Sequence, residues 1–167
     1  INGASGGVGH FAVQIAKIIG AKVYAVCGRD NMKFAESLGA DRVYCYTDQP
    51  AGSIDFQFDA VFDVFGNYRR KHLSRQLGHR GIYISTVPGR TTMAGEFLAR
   101  TRLSGKSRLV LVRSRSADLR QLAGWCDEQR LVPHVEKVFP ASQAAAAHRH
   151  VETKHTRGKA VIQIQTG

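Results

Sequence analysis

The chain has 167 residues, 43% of them hydrophobic, which is one domain's worth of sequence and enough to bury a core. No apolar run approaches the ~20 residues of a membrane span, and no basic-then-apolar leader opens the chain, so neither a membrane protein nor a signal peptide is expected. The formal charge of +11 allows attraction to polyanions, but no nucleic-acid motif accompanies it, and a solvated basic surface is the favoured reading.

In chain order, short β-favouring runs alternate with helical spacing. Ile1-Asn2 is the end of a truncated first strand. Gly7 to Ile19 carries apolar residues at Val8, Phe11, Ala12, Ile15, Ile18 and Ile19, the spacing of one helix face. A strand follows over 22–27, then a helix over 30–38 stopped by Gly39, with Asp30 expected as its cap. Strands are predicted over 42–46, 60–65 and 81–87, with a helix over 68–77 between the last two. Residues 88–105 are turn-rich and basic, hence a loop. A strand over 108–113, helices over 117–129 and 141–153, and a last strand over 159–165 complete the chain. Such alternation predicts an α/β fold of Rossmann type: a doubly wound parallel sheet in a three-layer α/β/α arrangement.

The densest local signal is Asn2-Gly-Ala-Ser-Gly-Gly-Val-Gly-His10. Glycines at 3, 6, 7 and 9 crowd a turn, as where backbone must approach a phosphate closely. The helix that follows aims free N–H groups and a positive dipole end at that place. With helix and strand behind it, the run reads as a dinucleotide-binding turn. Ala4 stands where the usual G-x-G-x-x-G has its first glycine. Ser5, Gly6, Gly7 and Val8 are expected to cradle a pyrophosphate, and the Ser5 hydroxyl either helps or caps the helix.

The end of the second strand bears on the choice of cofactor. NAD-binding folds place Asp or Glu there for the ribose 2′-hydroxyl, whereas a nearby Arg suits a 2′-phosphate. Here the strand ends Cys27-Gly28-Arg29, which points to NADP(H); the adjacent Asp30 weighs against that choice unless it caps the next helix, as expected.

The stretch GASGGVGHFAVQIAKIIGAKVYAVCGRDNMKFAESLGADRVYCYT resembles the cofactor domain of medium-chain dehydrogenases/reductases. The turn Gly3-Ala-Ser-Gly-Gly-Val-Gly9, Ser37-Leu-Gly-Ala-Asp41 and Phe58-Asp-Ala-Val-Phe-Asp63 are similar to the zinc-independent quinone oxidoreductase, or zeta-crystallin-like, branch, with Gly3 where that branch's A-x-x-G-G-V-G has Ala. Leu131 to Pro140 and the AAAAHRHVETKHTRGKAVIQI stretch resemble that family's end. The resemblance implies a dinucleotide-binding domain over 1–135, and a segment over 136–167 that returns to an N-terminal catalytic domain absent from this chain, where the last strand pairs. It also implies that Asn31 or Lys33, and Tyr46, touch the 2′-phosphate or its ribose. Phe65 and Gly66 then lie near the adenosine-side ribose, and Ser85, Thr86 and Val87 near the nicotinamide ribose. For Lys33 solvent exposure, for Tyr46 plain packing, and for the strand-end pairs ordinary turn chemistry stand as the alternatives. The resemblance also implies a homodimer, in which the strand over 108–113 pairs across the two copies.

No catalytic residue is expected in this chain, because substrate groups belong to the other domain. Three widely spaced cysteines fit a reduced, cytoplasmic compartment. Neither C-x-x-C nor H-E-x-x-H occurs, and His134, His148, His150 and His155 do not share a face, so no metal is expected. The expected activity is NADPH-dependent hydride transfer to a quinone, enone or other activated alkene. An alcohol dehydrogenase or enoyl reductase of the same superfamily, an RNA-binding protein on this fold, and a cofactor sensor without turnover are the alternatives.

Overall fold

The structure is a computed structural model, and it describes residues 1–87, 107–110 and 114–164. The predicted loop over 88–105 lies outside the described residues, as do positions 111–113 of the predicted strand over 108–113.

The elements are α1 (Gly9–Ile18), β1 (Tyr24–Cys27), α2 (Met32–Ser37), β2 (Arg42–Cys45), β3 (Ala60–Asp63), α3 (Ser74–Leu77), β4 (Ile82–Ser85), β5 (Ser107–Leu109), α4 (Ser116–Asp127), β6 (Val135–Pro140), α5 (Ala144–Glu152) and β7 (Lys159–Gln163). Single 3-10 turns precede α2, α3 and α5. Among the described residues no helix is long and apolar enough to cross a membrane.

β1 pairs in parallel with β2, and β3 with β4 and then β5. Asn2 joins the two groups by parallel bridges to Val26 and Asp63. The order is therefore β2, β1, Ile1–Asn2, β3, β4, β5, with Ile1–Asn2 in the central place of the doubly wound order. These two residues are well tied: Asn2 N donates to Phe62 O at 2.9 Å, Val26 N to Ile1 O at 2.9 Å and Val64 N to Asn2 O at 3.1 Å.

Alternation along the strands sends side chains to two cores. Ala25 and Cys27 join Ala4, Val13, Val23 and Ala35 beneath α1 and α2. Val26, Val61 and Tyr83 join Ile54, Leu73 and Leu77 on the other face, beneath α3. This is the three-layer arrangement expected.

Beyond it, β6 and β7 form a separate two-stranded parallel sheet, with α5 packed on it through Phe139 and His150. β6 was not expected as a strand, and it gives β7 a partner within this chain. Gln14 of α1 clamps the lead-in to β6 in both directions: its Nε2 donates to Val132 O at 3.0 Å, and its Oε1 accepts from Val132 N at 2.8 Å.

Candidate functional site

The carboxyl ends of β1, β2, β3 and β4 form the sheet edge where ligands bind in open α/β sheets. The glycine turn sits at its centre. Gly3 takes φ +79°, a left-handed conformation that glycine adopts without cost. A Cβ on Gly9 would lie 2.0 Å from Gly3 O, so only glycine lets α1 start against the turn. The N–H groups of Gly7 and Val8 have no hydrogen-bond partner among the described residues, and Val8 is exposed. Unpaired donors at a helix start are the chemistry a pyrophosphate needs, so these residues fit a dinucleotide.

Local capping is corrected in two places. α1 has Val8 at its N-cap position with no side-chain bond, so Ser5 does not cap it. Instead, Ser5 Oγ accepts from Asn31 Nδ2 at 3.2 Å. Nor does Asp30 cap α2, which starts at Met32 with Asn31 before it and no side-chain cap. For Ser5 a partner distant in sequence replaces the local bond that propensity suggests.

Gly28, Arg29, Asn31 and Tyr46 gather on one side of the turn. The Tyr46 ring lies 3.5 Å from where a Gly28 Cβ would be, so the ring roofs that glycine. Arg29 Nη2 pairs with Asp48 Oδ1 at 2.5 Å, both groups exposed. Lys33 is exposed on the outer side of α2.

On the other side, Phe65 and Gly66 lie in the loop after β3, with Phe65 about half exposed. Ser85 is buried, and its hydroxyl is spent on its own turn, bonded to the Val87 backbone at 3.2 Å. Thr86 Oγ1 donates to Val64 O at 3.1 Å, tying the two loops together. Val87 fills the space beside Gly66, where a Cβ would come within 2.6 Å of it.

Three features escaped the sequence reading. The first is Asp63, fully buried at the end of β3. Its Oδ1 accepts from Asn2 Nδ2 at 2.8 Å and Gly66 N at 2.8 Å, and its Oδ2 from Tyr83 Oη at 2.8 Å and Tyr68 N at 3.1 Å. One carboxylate thus holds the turn's lead-in and the opposing loop together. Burial, then the bond to Asp63, pushes the Tyr83 hydroxyl well above its usual range. A polar residue ending the apolar run Ala60-Val-Phe-Asp63 was the available signal.

The second is His10, fully buried under the turn. Its Nδ1 lies 3.0 Å from Gly6 O and its Nε2 accepts from His134 N at 3.4 Å. A carbonyl can only accept, so the proton belongs on Nδ1 and the ring is neutral. Burial, with Lys159 and His134 nearby, pulls its pKa down against the pull of the Gly6 bond.

The third is the loop before β7. Gly158 N donates to Ser5 O at 2.9 Å, and Lys159 Nζ lies 3.3 Å from where a Gly7 Cβ would be. Arg157 Nε donates to Asn31 Oδ1 at 2.6 Å, and Lys154 Nζ stands 5.7 Å from the centre of the Phe65 ring. Three cations therefore stand beside the turn and its flanking loops, from a segment noted in the sequence only for its likeness to the family's end.

Two surface clefts lie elsewhere, one of about 410 Å³ by residues 52–57 and one of about 510 Å³ between α1, α2 and residues 129–134. Neither holds the glycine turn, and the conformation of that turn outweighs cleft size as a guide to the site. Among the described residues no group of three or more His, Cys, Asp or Glu gathers as metal ligands would.

A family model described as zinc-binding dehydrogenase matches residues 38–162. The chain is 28% identical over 168 residues to the chloroplast envelope quinone oxidoreductase homolog of Arabidopsis thaliana, covering 98% of this chain and 51% of that protein. It is 29% identical over 189 residues to a mitochondrial NAD(P)H oxidoreductase of Mus musculus, covering 98% of this chain and 47% of that one. The solved quinone oxidoreductase from Coxiella burnetii superposes with a TM-score of 0.86 at 28% identity, over 98% of this chain and 51% of that one. The chain spans about half the length of the curated relatives it matches. Their names place them in a chloroplast or a mitochondrion and lend no support to a cytoplasmic location. By its matched residues and its fold, this chain belongs to the zinc-binding dehydrogenase family of the medium-chain dehydrogenases/reductases.

Proposed function

We propose that this chain is the cofactor-binding portion of an NADPH-dependent oxidoreductase that transfers hydride to a quinone, enone or similar activated alkene. The observation that carries the proposal is the glycine turn, with its unpaired Gly7 and Val8 N–H groups at the centre of the sheet. The names of the two relatives, a quinone oxidoreductase homolog and an NAD(P)H oxidoreductase, support the reaction class. The bound cofactor supplies the hydride, and the protein orients it and excludes water. In this reading Ser5, Gly6, Gly7 and Val8 hold the pyrophosphate. Gly28, Arg29, Asn31, Lys33 and Tyr46 surround the adenosine ribose. Phe65 and Gly66 lie near the adenosine-side ribose, and Ser85, Thr86 and Val87 near the nicotinamide ribose. The substrate-polarising group comes from outside this chain, as does a further pairing partner for β7.

A side-by-side calorimetric titration with NADPH and NADH at physiological salt tests the cofactor. Tight NADPH with weak NADH supports the reading, and equal affinities remove the NADPH preference. We also propose a homodimer through residues 108–113. A monomer by sedimentation at micromolar protein removes that part.

A further inference from the structure

We propose that Arg157, reaching in from the loop before β7, is the cation that reads the cofactor's 2′-phosphate, in place of Arg29 at the end of β1. The inference rests on the dinucleotide reading and adds the residue that sets its specificity.

The argument is one of charge compensation. Arg29 already has a carboxylate, Asp48, at 2.5 Å. An incoming phosphate dianion must displace that carboxylate or sit beside it. Asp48 Oδ1 also accepts from Thr47 Oγ1 at 3.2 Å, so the carboxylate is held in place. Arg157 differs. Its Nε donates to Asn31 Oδ1 at 2.6 Å and its Nη2 to the Asp30 backbone carbonyl at 2.8 Å. Both acceptors are neutral. No carboxylate pairs with Arg157 among the described residues. Two of its five N–H groups fix the guanidinium, and the others are left for an anion.

Its placement is equally specific. Asn31 lies three residues past Gly28, where the adenosine ribose of a dinucleotide rests. Asn31 Nδ2 also donates to Ser5 Oγ at 3.2 Å, so Arg157, Asn31 and the glycine turn form one bonded chain. The loop cannot slide. Gly158 N is bonded to Ser5 O at 2.9 Å, and a Cβ on Gly158, at φ +66°, would lie 2.3 Å from His134 O. The guanidinium is thus pre-oriented, so a phosphate meets it with little side-chain ordering left to lose.

Adenosine 2′,5′-bisphosphate and 5′-AMP differ by the 2′-phosphate alone, and their calorimetric Kd ratio, measured on the protein at its full natural length, isolates that contact. The expected result is a wild-type ratio strongly favouring the bisphosphate. Arg157→Gln cuts the ratio roughly 10-fold or more, as loss of charge-assisted bonds implies, while 5′-AMP affinity stays within about 3-fold. Arg157→Lys keeps the charge without the planar fork and recovers part of the ratio. Arg29→Gln leaves the ratio within about 3-fold. A ratio that collapses in Arg29→Gln and survives in Arg157→Gln overturns the proposal. So does an equal loss of both ligands in Arg157→Gln with an unchanged melting temperature, because Arg157 then serves the shared 5′ end. If the wild type binds neither nucleotide, nor NADPH nor NADH, the dinucleotide reading itself fails.

Discussion

Gly9→Ala sets two effects of opposite sign against each other. Gly9 is the first residue of α1, and intrinsic helix propensity favours alanine by up to about 1 kcal/mol, less at a first turn. Sterics oppose it. The new Cβ would lie 2.0 Å from Gly3 O and 2.8 Å from Ala4 C and Cα, against the 3.0 Å that real Cβ atoms respect. About 1 Å of separation is therefore required, and the obstructing atoms are backbone, so no rotamer change relieves it. The turn is itself pinned, since Gly3 N and Ala4 N both donate to Val26 O, at 3.0 and 3.1 Å. Either α1 lifts off the sheet or one of those bonds breaks. Overpacking costs about 1–3 kcal/mol and a lost hydrogen bond about 1 kcal/mol, which together exceed the propensity gain. The net expectation is about 1–3 kcal/mol of destabilisation. Urea unfolding should show a midpoint lower by roughly 1 M, taking a slope of about 2 kcal/mol/M. Calorimetry should show dinucleotide affinity down at least 10-fold, because the Gly7 and Val8 N–H groups are re-aimed. A variant as stable as wild type with unchanged affinity would refute the steric account and the placement of the phosphates with it.

Asp63→Ala takes the acceptor from the Phe65, Gly66 and Tyr68 N–H groups, while the Asn2 amide keeps Asn67 Oδ1 and the Tyr83 hydroxyl keeps Tyr68 O; it should cost about 3 kcal/mol or more in urea unfolding, and a cost under 1 kcal/mol would show that water replaces the carboxylate. Tyr83, raised by burial and by Asp63, should stay protonated in the fold at pH values that ionise it in the unfolded chain. Its contribution to stability is complete below pH ~10 and is lost above it, and a 295 nm titration without a delayed step would count against this. His10 has a lowered pKa, so its contribution is complete above pH ~6.5 and fades as acid drives the unfolded chain to take the proton. The melting temperature should fall from pH 7 to pH 5, and fall less in His10→Gln; parallel curves would remove His10 as the cause. Cys27, pushed up to about 11 by burial and the neighbouring Cys45, should resist iodoacetamide at pH 8 while Cys126 reacts, as peptide mass mapping would reveal; early labelling of Cys27 would contradict its burial.

Local patterns carried much of the fold and failed where partners distant in sequence decide the outcome. The helical spacing over 7–19 and the short apolar runs located α1 and strands β1 to β4 to within a few residues, because burial against one sheet imposes those periods. β6 was missed because its residues are mostly exposed, so the run Val135-Glu-Lys-Val-Phe-Pro140 lacks a core-facing period. Ser5 and Asp30 look like caps by residue type. In the fold Asn31 takes the first, and the second offers only its backbone carbonyl, to Arg157, 127 positions away. A like separation in sequence lies between the two cations that could choose the cofactor, Arg29 and Arg157. Sequence can nominate only the cation beside the strand end, Arg29, because adjacency is the one relation it displays. It cannot display that Asp48 neutralises Arg29, or that the loop before β7 brings a second guanidinium to the same strand end against neutral oxygens. An anion selects the cation whose charge is least compensated and whose geometry is already set. On both counts Arg157 is the better placed, although nothing near it in the sequence says so.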